Sequence, residues 1–216
     1  MKKIFLFLSF LTLILTGCSQ IYQITPTQAF QLDGGRFSFL SNKEYSSVKL
    51  ELAKLTYRDN LPLLLLVQAK INPHDKSSAP IFSIDSFNLL NNPMGFIIVS
   101  AKDILNSSIG FTNALQDFSI PTPPLDNNTQ FGFFFSPFFG FYPTASFNNS
   151  YYRESEFSRR ILFSHYLKPT TLGTDFKGGF IALSPKDMKN GMIDIEIKIN
   201  KEIHIFTFNF KKLTDQ

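Results

Sequence analysis

The clearest pattern in the chain lies near its C-terminus, where Ile193, Ile195, Ile197 and Ile199 alternate with Asp194, Glu196 and Lys198. A side-chain period of two belongs to a β-strand with one apolar and one wetted face. Asn200-Lys201 then reads as a tight turn, and Ile203 to Phe210 as the returning strand of a hairpin. Val48, Leu50 and Leu52 alternate in the same way with Lys49 and Glu51, whereas Leu63 to Val67 is an unbroken apolar run. Such a run, continued by Gln68 to Ile71, predicts a central strand covered on both faces. Residues 80–90 and 96–100 extend the strand pattern, divided by the turn signal Asn91-Asn92-Pro93. Two stretches predict helix: residues 102–117, with mixed spacing, and Glu154 to Leu167. The second gathers Phe157, Ile161, Leu162 and Tyr166 near one face and ends before Pro169.

Many strands, sparse helix and turns at short intervals predict a single mainly-β domain over residues 31–216, an antiparallel β-sandwich with one or two short helices. From Arg160 onward the chain runs through Tyr166-Leu167, Thr170-Thr171-Leu172, Lys177-Gly178-Gly179-Phe180 and the terminal hairpin. This outline resembles the end of the Ig-like domains of bacterial surface lipoproteins. The resemblance implies an Ig-like sandwich and no particular activity. Asp33-Gly34-Gly35 and Lys177-Gly178-Gly179 both read as turns, where glycine relieves backbone strain.

The first residues differ from all this. Lys2 and Lys3 precede an apolar stretch of 12 residues, Ile4 to Leu15. It is shorter than the roughly 20 residues a spanning helix needs, and it suits the core of a signal peptide. The segment ends Leu15-Thr16-Gly17-Cys18, which resembles the lipobox of bacterial lipoproteins. The resemblance implies cleavage after residue 17, lipid on the Cys18 thiol, and a polar tether over residues 18–30. Cys18 is the only cysteine, so no internal disulfide can form and the core must hold the domain. Ser19 after the cysteine favours the outer membrane over the inner in lipoproteins of the enterobacterial type.

Removing Lys2 and Lys3 with the leader leaves 19 basic residues against 17 acidic ones. That balance does not make a nucleic-acid-binding surface. No catalytic set, metal site or cofactor motif is legible. His74, His165 and His204 each lack a partner at metal or acid-base spacing. His74 reads as a solvated turn residue, His165 as a helix residue, and His204 as a structural or solvent-facing residue of the last strand. No Gly-x-Ser-x-Gly, phosphate-binding glycine loop or His-Glu-x-x-His occurs.

The segment with character is residues 131–147, which hold eight of the chain's 26 Phe, one Tyr and no charge. Pro137, Gly140 and Pro143 interrupt it, which predicts an ordered loop. Three readings stand: core capping the sandwich, an anchor for a protein partner, or a loop in contact with lipid. The candidate contact residues are Phe133, Phe134, Phe135, Phe138, Phe139, Phe141 and Tyr142. The expected function is a non-catalytic binding or assembly module of the cell envelope, with a protein partner and a membrane contact through Cys18. A carrier or sensor of a hydrophobic ligand is the alternative.

Overall fold

The structure is a computed structural model that describes residues 19–59, 61–72, 79–122, 131–136, 140–145 and 150–213. Cys18, Phe138, Phe139 and His74 lie outside them. The described residues form two large antiparallel sheets packed face to face, with helices on the outside of one of them.

The first sheet has five strands. Its order is β5 (Thr56–Arg58), β1 (Ile21–Pro26), β15 (Glu202–Lys212), β14 (Gly191–Ile199) and β8 (Phe87–Leu90). The hairpin read from the isoleucine alternation is its centre: Ile199 pairs with Glu202 across Asn200-Lys201. Asn200 takes φ +53°, a left-handed conformation that asparagine tolerates better than most residues. Ile193, Ile195, Ile197 and Ile199 are buried, as the alternation predicts.

The second sheet has six strands, in the order β2 (Gln31–Asp33), β3 (Arg36–Asn42), β4 (Ser46–Leu52), β6 (Leu63–Ile71), β13 (Lys177–Ser184) and β9 (Ile97–Ile98). The Asp33-Gly34-Gly35 turn joins its first two strands, with both glycines at positive φ, +57° and +80°. Strand β6 is central and buried on both faces. Leu63, Leu65 and Val67 face the other sheet, while Leu64 and Leu66 face the helices. A two-strand ladder, β7 (Ile81–Phe82) with β12 (Thr170–Thr171), stands apart from both sheets.

Two apolar clusters hold the layers. Between the sheets lie Phe39, Leu50, Leu65 and Ile181 against Tyr22, Ile195, Phe206, Phe208 and Phe210. Outside the six-stranded sheet, Leu64, Leu66, Phe180 and Ala182 meet Ile104 of α1 (Ala101–Asn106), Leu115 of α2 (Thr112–Asp117) and Ile161 and Leu162 of α3 (Ser150–His165). On the same outer face, towards β3 and β4, lies a charged group. Arg36 and Glu51 lie 3.4 Å apart, both buried, and Lys49 reaches Glu51 at 2.9 Å.

Four local expectations are corrected. The tether predicted over 18–30 holds strand β1, with Tyr22 and Ile24 buried and the strand paired to β15 from Tyr22↔Lys212 to Pro26↔Phe208. Two inward apolar residues suffice there, because β1 lies between two partner strands. The helix predicted over 102–117 is two short helices. Ser107 returns its hydroxyl to the Ile104 carbonyl at 2.9 Å, and the chain turns before α2 begins. Helix α3 starts four residues before the predicted Glu154 and stops at His165, because Tyr166 leaves it to bridge Phe180. Gly178 and Gly179 are not a turn; they lie inside β13 with no positive φ. A Cβ on Gly179 would come within 2.7 Å of the His165 carbonyl and 2.8 Å of the Leu167 nitrogen. The glycine is required by the close passage of the chain leaving α3.

Candidate functional site

Two places carry more chemistry than a core or a solvated face requires. One is the aromatic segment; the other is a polar cluster that the sequence did not reveal.

The aromatic segment is not a loop. Phe131–Ser136 and Gly140–Ala145 form strands β10 and β11 of an antiparallel ribbon, which among the described residues pairs with neither large sheet. Pro143 falls opposite Phe133. A proline can stand there because each strand of a two-stranded ribbon has a free edge that needs no N–H donor. Residues paired directly across a ribbon share a face. The register therefore groups Phe131, Phe133, Phe135, Phe141, Pro143 and Ala145 on one face. It groups Gly132, Phe134, Ser136, Gly140, Tyr142 and Thr144 on the other. One face is wholly apolar and the other is mixed. Of the candidate contact residues, Phe133, Phe135 and Phe141 share the first face, and Phe134 and Tyr142 the second. Phe138 and Phe139 belong to the undescribed connection between the strands.

The polar cluster lies at one end of the space between the sheets. Along β15 the inward row runs His204, Phe206, Phe208, Phe210, so a histidine occupies a position equivalent to three core phenylalanines. His204 is fully buried, and its partners come from the opposite sheet: Ser46 Oγ lies 2.9 Å from Nε2 and Ser41 Oγ 2.9 Å from Nδ1. The Ser46 hydroxyl donates to the Glu202 carboxylate, which also accepts from the Tyr45 N–H at 3.2 Å. A carboxylate can only accept, so it takes the one proton Ser46 has to give. Nε2 then donates to Ser46, and Nδ1 lies against the Ser41 hydroxyl. Both ring nitrogens are thus met by serine hydroxyls of the opposite sheet.

Electrostatics agree with a neutral ring. Burial, helped by nearby Lys43 and opposed by Glu202 and by a hydrogen bond to the Ser41 backbone, pushes the His204 pKa down to about 4. Burial would raise the Glu202 pKa, but hydrogen bonds from Ser46 and Tyr45, with His204 nearby, outweigh it and leave the carboxyl below its ordinary value. In a Ser-His-acid relay the carboxylate holds the imidazole. Here it holds the serine, and the imidazole joins two serines across the sheets. The β3–β4 turn above the cluster is tied by Asn72, whose Nδ2 donates to the Lys43 carbonyl at 2.7 Å and the Glu44 carbonyl at 3.2 Å.

His204 is thus a buried structural residue, and the solvent-facing position is excluded. The outward residues of its strand are Ile203 and Ile205, both exposed. His165 is the last residue of α3, half-buried, with its pKa lowered by burial and by Lys168. Among the described residues no three His, Cys, Asp or Glu side chains converge on a metal site, and no helix is long and apolar enough to cross a membrane. No family model matches the chain, and no curated protein or solved structure matches it either.

Proposed function

We propose that this protein is an envelope lipoprotein, held by lipid on Cys18 and directed to the outer membrane. Its Ig-like sandwich serves as a rigid, non-catalytic scaffold that presents the β10–β11 ribbon to a protein partner. The observation that carries the reading is the register of that ribbon, which collects six apolar residues on one face of a sheet that pairs with no other strand among the described residues. An aromatic, uncharged face of this kind has the composition of an interface centre, where charge is depleted and aromatics are enriched.

The test is cross-linking in intact cells, followed by purification of the native protein and of a Phe133→Asp/Phe141→Asp variant, which places charge on that face. Capture of one envelope protein by the native form, lost in a variant that still folds, supports the reading. Equal capture by both forms overturns it. Co-purification of a lipid with the native form alone would identify the ribbon as a grip for acyl chains instead.

A further inference from the structure

Strand β1 begins close to the proposed lipid anchor. Only Ser19 and Gln20 separate Cys18 from Ile21, the first residue of that strand. Three residue steps of extended chain reach at most about 11 Å. The end of the five-stranded sheet where β1 begins is then drawn into the headgroup layer, with no spacer to hold it away.

That end is tightly tied together. Gln20 N–H donates to the Asp59 carboxylate at 2.9 Å, and Asp59 N–H returns to the Gln20 carbonyl at 3.2 Å. Leu213 N–H donates to the Ile21 carbonyl at 2.9 Å, and Lys212 N–H to the Asn190 side chain at 2.6 Å. Tyr22 Oη donates to the Met188 carbonyl at 3.1 Å. Four chain segments therefore meet around the start of β1.

Their surface has one chemical character. Ile21, Leu61 and Leu213 are exposed apolar residues. Around them stand the exposed cations Arg58, Lys189, Lys211 and Lys212, with Arg58 paired in register to Ile21. The acids among the described residues there are Asp59, engaged by the Gln20 N–H, and Asp187, 3.9 Å from Lys189. Apolar residues ringed by cations fit a surface of anionic headgroups over hydrocarbon.

We propose that this end of the five-stranded sheet is a second membrane contact, which binds anionic lipid headgroups and fixes the orientation of the domain. The proposal rests on the lipid-anchored reading for its distance argument and on the residues themselves for its chemistry. The polar cluster then lies far from the bilayer. His204 and Lys212 are eight residues apart on one strand, about 27 Å. The Asn200-Lys201 turn points outward from the membrane.

The test reconstitutes the mature protein into vesicles of phosphatidylcholine, alone or mixed with phosphatidylglycerol, and follows amide hydrogen exchange. Slowing of residues 58–61, 188–190 and 211–213 by about tenfold in the anionic vesicles is expected. The slowing should vanish in high salt and in an Arg58→Gln/Lys189→Gln/Lys211→Gln/Lys212→Gln variant. Equal exchange in both vesicles, or slowing at the Asn200-Lys201 turn instead, overturns the proposal. The mass of the mature protein reads the anchor separately. A Cys18 without lipid defeats the anchored reading, and the same exchange contrast with vesicles added to the protein still decides the surface.

Discussion

His204 of one sheet and Ser46 of the other are joined by a hydrogen bond of 2.9 Å at one end of a largely apolar interface. Because the ring is held neutral by its burial, that burial links stability to pH. The unfolded chain takes up a proton near pH 6.5, while the folded ring resists it down to about 4. The stabilisation is fully present above pH 6.5 and is lost as pH falls towards 4, with a total of about 3 kcal/mol. The lowered pKa of Glu202 acts in the same direction at more acid pH.

Urea unfolding across pH 7 to 4 should therefore show a fall in stability that a His204→Phe variant loses. The phenylalanine continues the row Phe206, Phe208, Phe210, but it leaves the Ser41 hydroxyl without its ring partner. The variant should be weaker at pH 7 by about 1–3 kcal/mol. An unchanged acid slope in the variant would show that other groups set it.

The glycines of β13 make a second prediction, about backbone approach. Gly179→Ala would press a Cβ against the chain leaving α3, and Gly178→Ala would place one 1.9 Å from the Val67 carbonyl oxygen. Backbone cannot retreat as a side-chain tip can, so each change should lower stability by about 1–3 kcal/mol or more. Gly173→Ala, with nothing within 4 Å and no positive φ, should be neutral or gain up to about 1 kcal/mol. Thermal unfolding of the three variants separates the two classes.

These sites also mark where sequence reading stops. The Ile193–Ile199 alternation was legible because burial on one face imposes a period of two, and the buried run at Leu63 was legible because β6 is covered on both sides. Strand β1 was hidden by its polar residues. Its burial comes from partners such as Phe210, far along the chain. The glycine pair signals backbone approach as readily as a turn, and local sequence does not distinguish them. Pro143 and Gly140 suggested a loop, yet a ribbon with two free edges accommodates both. His204 looked isolated because Ser41 and Ser46 are 163 and 158 residues away in sequence. Only the stacking of the sheets brings them together.

Phe39 and Phe208 give a test of that stacking. Their rings, one from each sheet, lie 5.3 Å apart at 85°, an edge-to-face arrangement, and both are buried. Each change to alanine should cost about 3–5 kcal/mol through lost burial and the cavity left behind. A double-mutant cycle should recover a coupling of about 0.5–1.5 kcal/mol. Strict additivity would mean that the two rings do not meet.

Tyr166 bonds the helical layer to the six-stranded sheet. Its hydroxyl donates to the Val99 carbonyl beside β9 and accepts the Ala182 N–H of β13 at 3.1 Å. Loss of that hydroxyl in Tyr166→Phe leaves both backbone groups unpaired in a buried place, at a cost of about 1–3 kcal/mol. Burial also pushes its pKa up to about 12, although the Ala182 bond pulls the other way. Tyr57, buried with its hydroxyl on the Leu61 carbonyl, is raised as well. Both phenols stay protonated in the fold while the unfolded chain ionises near pH 10, so stability falls as pH rises above 10. Ultraviolet titration at 295 nm in native and unfolded protein reads this directly. Tyr166→Phe should shorten the alkaline limb by one group and leave the acid limb of His204 unchanged. If the acid limb moves too, the helical layer and the His204 end of the sandwich are coupled, and their contributions cannot be treated as independent.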